Sequence, residues 1–243
     1  MKYWNNAWNP VNGCTKCSEG CEHCFSEIQA SFKEKNNSKY NFNNVFVSEK
    51  ILQKEFDQKN ETIMVASQSD LFHPAVSDKY IDAILRKCAF CKSKRFLILT
   101  HRPERMVKYF SDSSVVSRIK GKHFKFDFEN LFFGVTVESE KYLYRIDLLN
   151  KCKHIKHRFV AFEPLLTAID CDTHINTMEW VIVGAESGKN ARECKTEWID
   201  DIVNVCHSNN VPVFVNNINE NGNITDKFEK AGYRQNFFEK EWK

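Results

Sequence analysis

Cys14, Cys17, Cys21 and Cys24 fall within eleven residues, in the run Gly13-Cys14-Thr15-Lys16-Cys17-Ser18-Glu19-Gly20-Cys21-Glu22-His23-Cys24. The full spacing is Cys-x2-Cys-x3-Cys-x2-Cys, and the last three cysteines alone give Cys-x3-Cys-x2-Cys. Three thiolates on a short loop suit three corners of a 4Fe-4S cluster and leave the fourth iron open to an outside ligand. Electron-carrying ferredoxins instead fill every corner with protein. The alternative is a structural zinc ion, whose tetrahedral shell all four thiolates can close. Zinc knuckles are usually a dozen or more residues apart, and here only three residues separate Cys17 from Cys21. The spacing therefore favours iron and sulfur over zinc.

The chain has ten cysteines, but their clustering argues for metal binding and against a disulfide framework. Reduced thiols at short spacing are what a soft metal requires. The other six, Cys88, Cys91, Cys152, Cys171, Cys194 and Cys206, are scattered through segments patterned as helix or strand and read as packing thiols.

A second set of polar groups follows apolar runs: Ser67-Gln68-Ser69-Asp70, Thr100-His101-Arg102, Glu138, Glu163 and Glu186. Acids commonly end strands at solvent, so any one of them alone carries little. In parallel α/β folds, however, the C-terminal strand ends share one rim and build the site there. Arg102 offers a planar fork of donors for a carboxylate or phosphate. His23 and His73 read as structural or solvent-facing. Gly184-Ala185-Glu186-Ser187-Gly188 is no nucleotide fingerprint and suits a tight turn near a ligand.

The elements that must position these groups come from six near-continuous apolar runs, 62–66, 95–100, 131–137, 158–162, 180–184 and 211–215, the pattern of strands buried on both faces. Between them lie helix candidates at 78–91, 103–110, 141–150 and 196–208, and a further one from about Glu22 into Lys35. The expectation is an α/β fold of parallel βα repeats forming a full or partial TIM-like barrel, with the cysteine loop near the N-terminus. One domain over residues 1–243 is expected. It divides into the cysteine loop and N-terminal helix (1–60), the βα repeats (61–217) and a tail (218–243), with 111–130 a peripheral insertion.

At 243 residues and 42% hydrophobic composition the chain can bury a substantial core. A net charge of +3 with well-mixed signs permits nucleic acid as a partner without demanding it. No apolar stretch approaches a membrane span and no signal peptide is evident, so the expected location is cytoplasmic, away from membranes.

Blocks in order along residues 4–217 resemble a family, the phage-associated three-cysteine-motif proteins, itself similar to the radical S-adenosylmethionine enzymes. The blocks are 8–14 (WNPVNGC), 20–24 (GCEHC), 67–74 (SQSDLFHP), 99–106 (LTHRPERM), 134–138 (GVTVE), 162–166 (FEPLL) and 180–188 (WVIVGAESG). The resemblance implies Cys14, Cys21 and Cys24 as cluster ligands, whereas the common radical-enzyme spacing makes Cys17 the rival of Cys14. It further implies a cluster-bound S-adenosylmethionine, an external electron donor, and a 5′-deoxyadenosyl radical acting on a substrate that the phage association suggests is a nucleotide or nucleic acid. Ser67, Ser69 and Asp70 would meet the cofactor's ammonium, and Thr136, Glu138, Glu163 and Glu186 its ribose or the substrate. The chain departs from the family at Val215-Asn216-Asn217, where a Lys-Gln pair is usual. Competing readings are a non-catalytic zinc-binding nucleic-acid module and an iron-sulfur redox sensor.

Overall fold

The computed structural model describes residues 3–36, 41–57, 59–120, 128–188, 190–220 and 223–226. Seven strands, β1 (Asn6–Trp8), β2 (Glu61–Val65), β3 (Lys94–Thr100), β4 (Leu131–Thr136), β5 (His157–Phe162), β6 (Trp180–Val183) and β7 (Val213–Val215), lie side by side in chain order. Every neighbouring pair is parallel. Parallel neighbours need long crossovers, and these carry α1 (Phe25–Asn36), α2 (Asp78–Phe90), α3 (Pro103–Ser111), α4 (Val115–Lys120), α5 (Tyr144–Lys151) and α6 (Thr196–Ser208). With strand order equal to chain order, crossovers of one hand put the helices on one face. The sheet curls away from them into a half-barrel, a partial TIM-like α/β fold.

Period-two alternation divides each strand between two cores. On the convex side, Ile63, Phe96, Ile98, Phe133, Val160 and Val181 pack with Ile81, Leu85, Met106, Ile146, Leu149 and Ile202 of the helices in one cluster. On the concave side, Met64, Leu97, Phe132, Phe159, Trp180 and Phe214 form a smaller aromatic cluster. Gly134 makes room there, because a Cβ at that position would come within 2.5 Å of the Phe159 ring. Tyr3 closes this cluster edge-on against Trp180 and Phe214, with ring centroids 5.9 and 5.8 Å away.

The six expected strands agree with β2–β7 to within two residues. β1 is an addition, three residues in a polar, aromatic segment too short for periodicity to reveal. It pairs Asn6 with Ile63 and buries Trp8, whose indole donates to the Ile51 carbonyl. The helix expected from Glu22 begins at Phe25, and the one expected from Lys141 is a 3-10 turn, Glu140–Tyr142, followed by α5. The expected insertion at 111–130 holds α4, and its residues 121–127 lie outside the described residues. Of the expected tail, Ile218–Glu220 pairs antiparallel with Asn223–Thr225, and 227–243 lie outside the described residues. No helix among the described residues is long and apolar enough to cross a membrane.

Candidate functional site

The C-terminal strand ends open into a cavity of about 440 Å³. Cys14, Cys21 and Cys24 line it, together with residues 67–70, Glu163 and Glu186, whereas Cys17 is exposed and lies outside that lining. The cysteine loop thus covers the rim on which the strand-end acids converge. Three of those acids turn out to hold the loop in place.

The first support comes from β2 and β3. β2 runs into Ala66, whose φ of 53° lies in the left-handed region, and the chain then turns across the rim. Ser69 donates to the Gly13 carbonyl, and Ser67 donates to Asn9 at 3.0 Å. Asp70 is buried and accepts from the Phe72 and His101 backbone, the Thr100 hydroxyl and the Arg102 guanidinium. Arg102, fixed by that carboxylate at 3.0 Å, donates to the Thr15 carbonyl at 2.6 Å and reaches Cys14 Sγ at 3.7 Å. His73 accepts from the Ala75 amide on Nδ1, so its Nε2 carries the proton donated to Thr15 Oγ1 at 2.9 Å. Its expected structural role is that contact.

Glu138, after β4, forms the second support and is wholly buried. Arg145 of α5, equally enclosed, donates to it at 2.7 Å, His101 Nδ1 lies at 3.1 Å, and Ser18 donates from the cysteine loop. Burial alone would raise the Glu138 pKa, but the hydrogen bond and charge of His101 and the charge of Arg145 outweigh it and bring it to about 2. Burial likewise disfavours the His101 imidazolium, and Glu138 reverses the balance so that the histidine's pKa rises. Gly20 lets the loop approach, since a Cβ there would meet Glu138 Cγ at 2.7 Å.

The third support is Glu186, after β6. It accepts from the Arg192 backbone and side chain, and His23 Nδ1 lies 2.8 Å away. Arg192 also donates to the Glu19 carbonyl at 2.9 Å and to Glu22 at 3.1 Å. Burial pushes the Glu186 carboxyl up, yet the Arg192 hydrogen bonds prevail and hold it below the usual carboxylate range.

Glu163 differs from all three. Its partners are neutral: Asn216 donates at 2.5 Å and the Tyr3 hydroxyl lies at 3.4 Å. Burial therefore dominates and raises its pKa. Thr136 is buried beneath the rim, outside the cavity lining, and its carbonyl accepts from Arg145.

The Sγ atoms of Cys17 and Cys21 lie 3.9 Å apart. A hydrogen bond from Cys17 lowers the Cys21 pKa to about 4, and the same bond pushes the Cys17 thiol far up. Burial raises Cys14 to about 11 against the pull of Arg102. Ligand atoms of Cys17, Cys21 and His101 all lie within 4.8 Å of one another, so this group could hold a metal ion.

The structure thus brings Cys14, Cys21, Cys24, Ser67, Ser69, Asp70, Arg102, Glu163 and Glu186 to one cavity and leaves Thr136 and Glu138 behind its wall. Sequence reasoning missed Arg145, Arg192, Tyr3 and Asn216 as parts of this arrangement. Two carried a signal: Arg145, four residues before Leu149 on the buried face of α5, and Asn216, within the stretch that departs from the family pattern. Residues 1–242 match the model of a family described as "Protein of unknown function (DUF5131)". No curated protein and no solved structure matches the chain.

Proposed function

The chain belongs to that family, and we propose that it is an enzyme of the radical S-adenosylmethionine type, holding an open-site 4Fe-4S cluster on Cys14, Cys21 and Cys24. The observation that carries this reading is the approach of those three thiols to one cavity at the mouth of a parallel half-barrel, with Glu163 in the same lining. The donor set fits the group: thiolates are the soft ligands that iron-sulfur centres take, and three of the four cysteines line the cavity while Cys17 is exposed outside its lining. When bound, the cluster supplies the electron for reductive cleavage of S-adenosylmethionine, drawn from an external donor.

The protein's own part is placement. Arg102, held by Asp70, donates toward Cys14 Sγ and fixes the start of the loop. Glu138 and Glu186, with Arg145 and Arg192, fix its middle and end. These are positioning residues. Cys14, Gly20, Cys21, His23 and Cys24 of the loop form one side of the cavity, facing the strand ends across it. Glu163 is left to face the substrate, a nucleotide or nucleic acid in this reading.

A second reading rests on the Cys17, Cys21 and His101 group, three of the four ligands that a structural zinc ion would take in a non-catalytic nucleic-acid-binding module. Anaerobic loading with iron and sulfide separates the two. The first reading expects a brown protein that consumes S-adenosylmethionine only with a reductant, keeps its colour in Cys17→Ala and loses it in Cys14→Ala. Colourless protein retaining zinc, with the metal lost in Cys17→Ala and His101→Ala but kept in Cys14→Ala, would overturn it in favour of the second.

A further inference from the structure

The Glu163 carboxylate has room for about four hydrogen bonds, and its donors among the described residues are Asn216 at 2.5 Å and the long Tyr3 contact at 3.4 Å. Asp70, on the same rim, accepts from four different residues. A half-buried carboxylate without a cation or a full set of donors is costly unless something else supplies them. Tyr3, Trp4, Met64 and Leu99 line the same cavity, so aromatic and apolar side chains share it with the carboxylate. The fit beneath is close, because a Cβ on Gly184 would stand 3.2 Å from Glu163 Oε1. Glu138 and Glu186 bond to the cysteine loop directly and Asp70 does so through Arg102, whereas Glu163's hydrogen bonds go to Tyr3 and Asn216.

We infer that this side of the cavity recognises a nucleobase bearing an exocyclic amino group, with Glu163 accepting from that group and Tyr3 and Trp4 meeting the ring. A carboxylate accepts well from a base amino group, and aromatic side chains hold bases by their faces. The inference rests on the cavity being the substrate side of the proposed site and names its ligand class. The same chemistry has two sources, the adenine of S-adenosylmethionine and the base of a substrate nucleotide. Glu163 is a specificity-determining residue in either case.

Matched nucleosides test this on the full chain by calorimetric titration: adenosine against purine riboside and guanosine against inosine, each pair differing in the amino group alone. A hydrogen bond to a charged acceptor corresponds to a preference of about ten-fold or more for the amino member. Glu163→Gln is expected to reduce that ratio to under about three-fold, while Trp4→Leu weakens both members alike. The wild-type ratios alone decide the matter should the variant not fold. Competition by saturating S-adenosylmethionine assigns the source: displacement of adenosine, with no preference for guanosine over inosine, identifies the cofactor's adenine, and retained binding with the preference intact identifies a substrate base. Equal affinities within each pair, or equal competition by a simple alkylamine, would overturn the inference. Nucleoside ratios are read without any iron and S-adenosylmethionine cleavage without any nucleoside, so failure here and failure of the radical reading remain distinguishable.

Discussion

Asp70, Glu138 and Glu186 stand at the ends of β2, β4 and β6 with an arginine each, whereas Glu163, at the end of β5, has an amide and a hydroxyl. The four look alike along the chain. Their partners divide them into two kinds: three carboxylates are each paired with an arginine, and Glu163, which has no cation among the described residues, is the one proposed to meet a ligand. The pKa directions follow the same division, down for Glu138 and Glu186 and up for Glu163. Perturbed carboxyls mark functional sites, and here the sign follows the partners: cations bring the pKa down, whereas burial with neutral donors leaves it up.

The strongest way to break the contrast is to remove a cation from an enclosed pair. Arg145 and Glu138 are both almost inaccessible, and deleting one member of such a pair typically costs about 3–5 kcal/mol because the other charge is stranded. Arg145→Met is expected to lose stability on that scale in urea unfolding. Glu163→Gln, which strands no charge, is expected to stay within about 1 kcal/mol of the wild type. Equal losses in the two variants would dissolve the distinction between them.

Much of the fold was legible because parallel strands covered on both faces write themselves as apolar runs. The cysteine loop was legible from spacing. What stayed hidden depends on contacts across the fold: Arg192 reaches Glu19 and Glu22 some 170 residues away, and nothing local announces that meeting. Asn216 touches Glu163 only because β7 lies two strands from β5. The register of the cysteines shows the same limit. Spacing admits either Cys14 or Cys17; in the fold Cys14 lines the cavity beside Arg102, and the exposed Cys17 lies 3.9 Å from Cys21 and shares a possible metal group with it and His101.

Two glycines sharpen the comparison at smaller amplitude. A Cβ on Gly20 would lie 2.7 Å from Glu138, which Arg145 and His101 pin in place. The added methyl must therefore push the cysteine loop outward, and overpacking of this kind costs about 1–3 kcal/mol. Gly184→Ala presses at 3.2 Å on Glu163 and at 2.5 Å on the amide oxygen of Asn217, both ends of side chains paired with no cation among the described residues. Gly20→Ala is expected to lower the urea midpoint further than Gly184→Ala and to impair iron loading, which Gly184→Ala leaves intact. The reverse order would mean that Glu138 is the more yielding of the two acids.

The smallest effects are those of pH, and they carry opposite signs. Arg192 and His23 face Glu186, and its folded pKa is depressed. The unfolded chain then binds the proton more readily, so the stability this group contributes is present above its unfolded pKa, roughly 4.3, and is lost as pH falls through the folded value. Tyr3 and Asn216 face Glu163, and its folded pKa is raised. Here the folded chain holds the proton longer, so stability declines as pH rises from roughly 4.3 through the folded value and does not recover above it. Urea midpoints of wild type, Glu186→Gln and Glu163→Gln across the carboxylate range read both signs. The advantage of wild type over Glu186→Gln is expected to shrink on acidification, and Glu163→Gln is expected to gain on wild type as the pH rises. Parallel profiles for the two variants would place Glu163 with the arginine-paired acids.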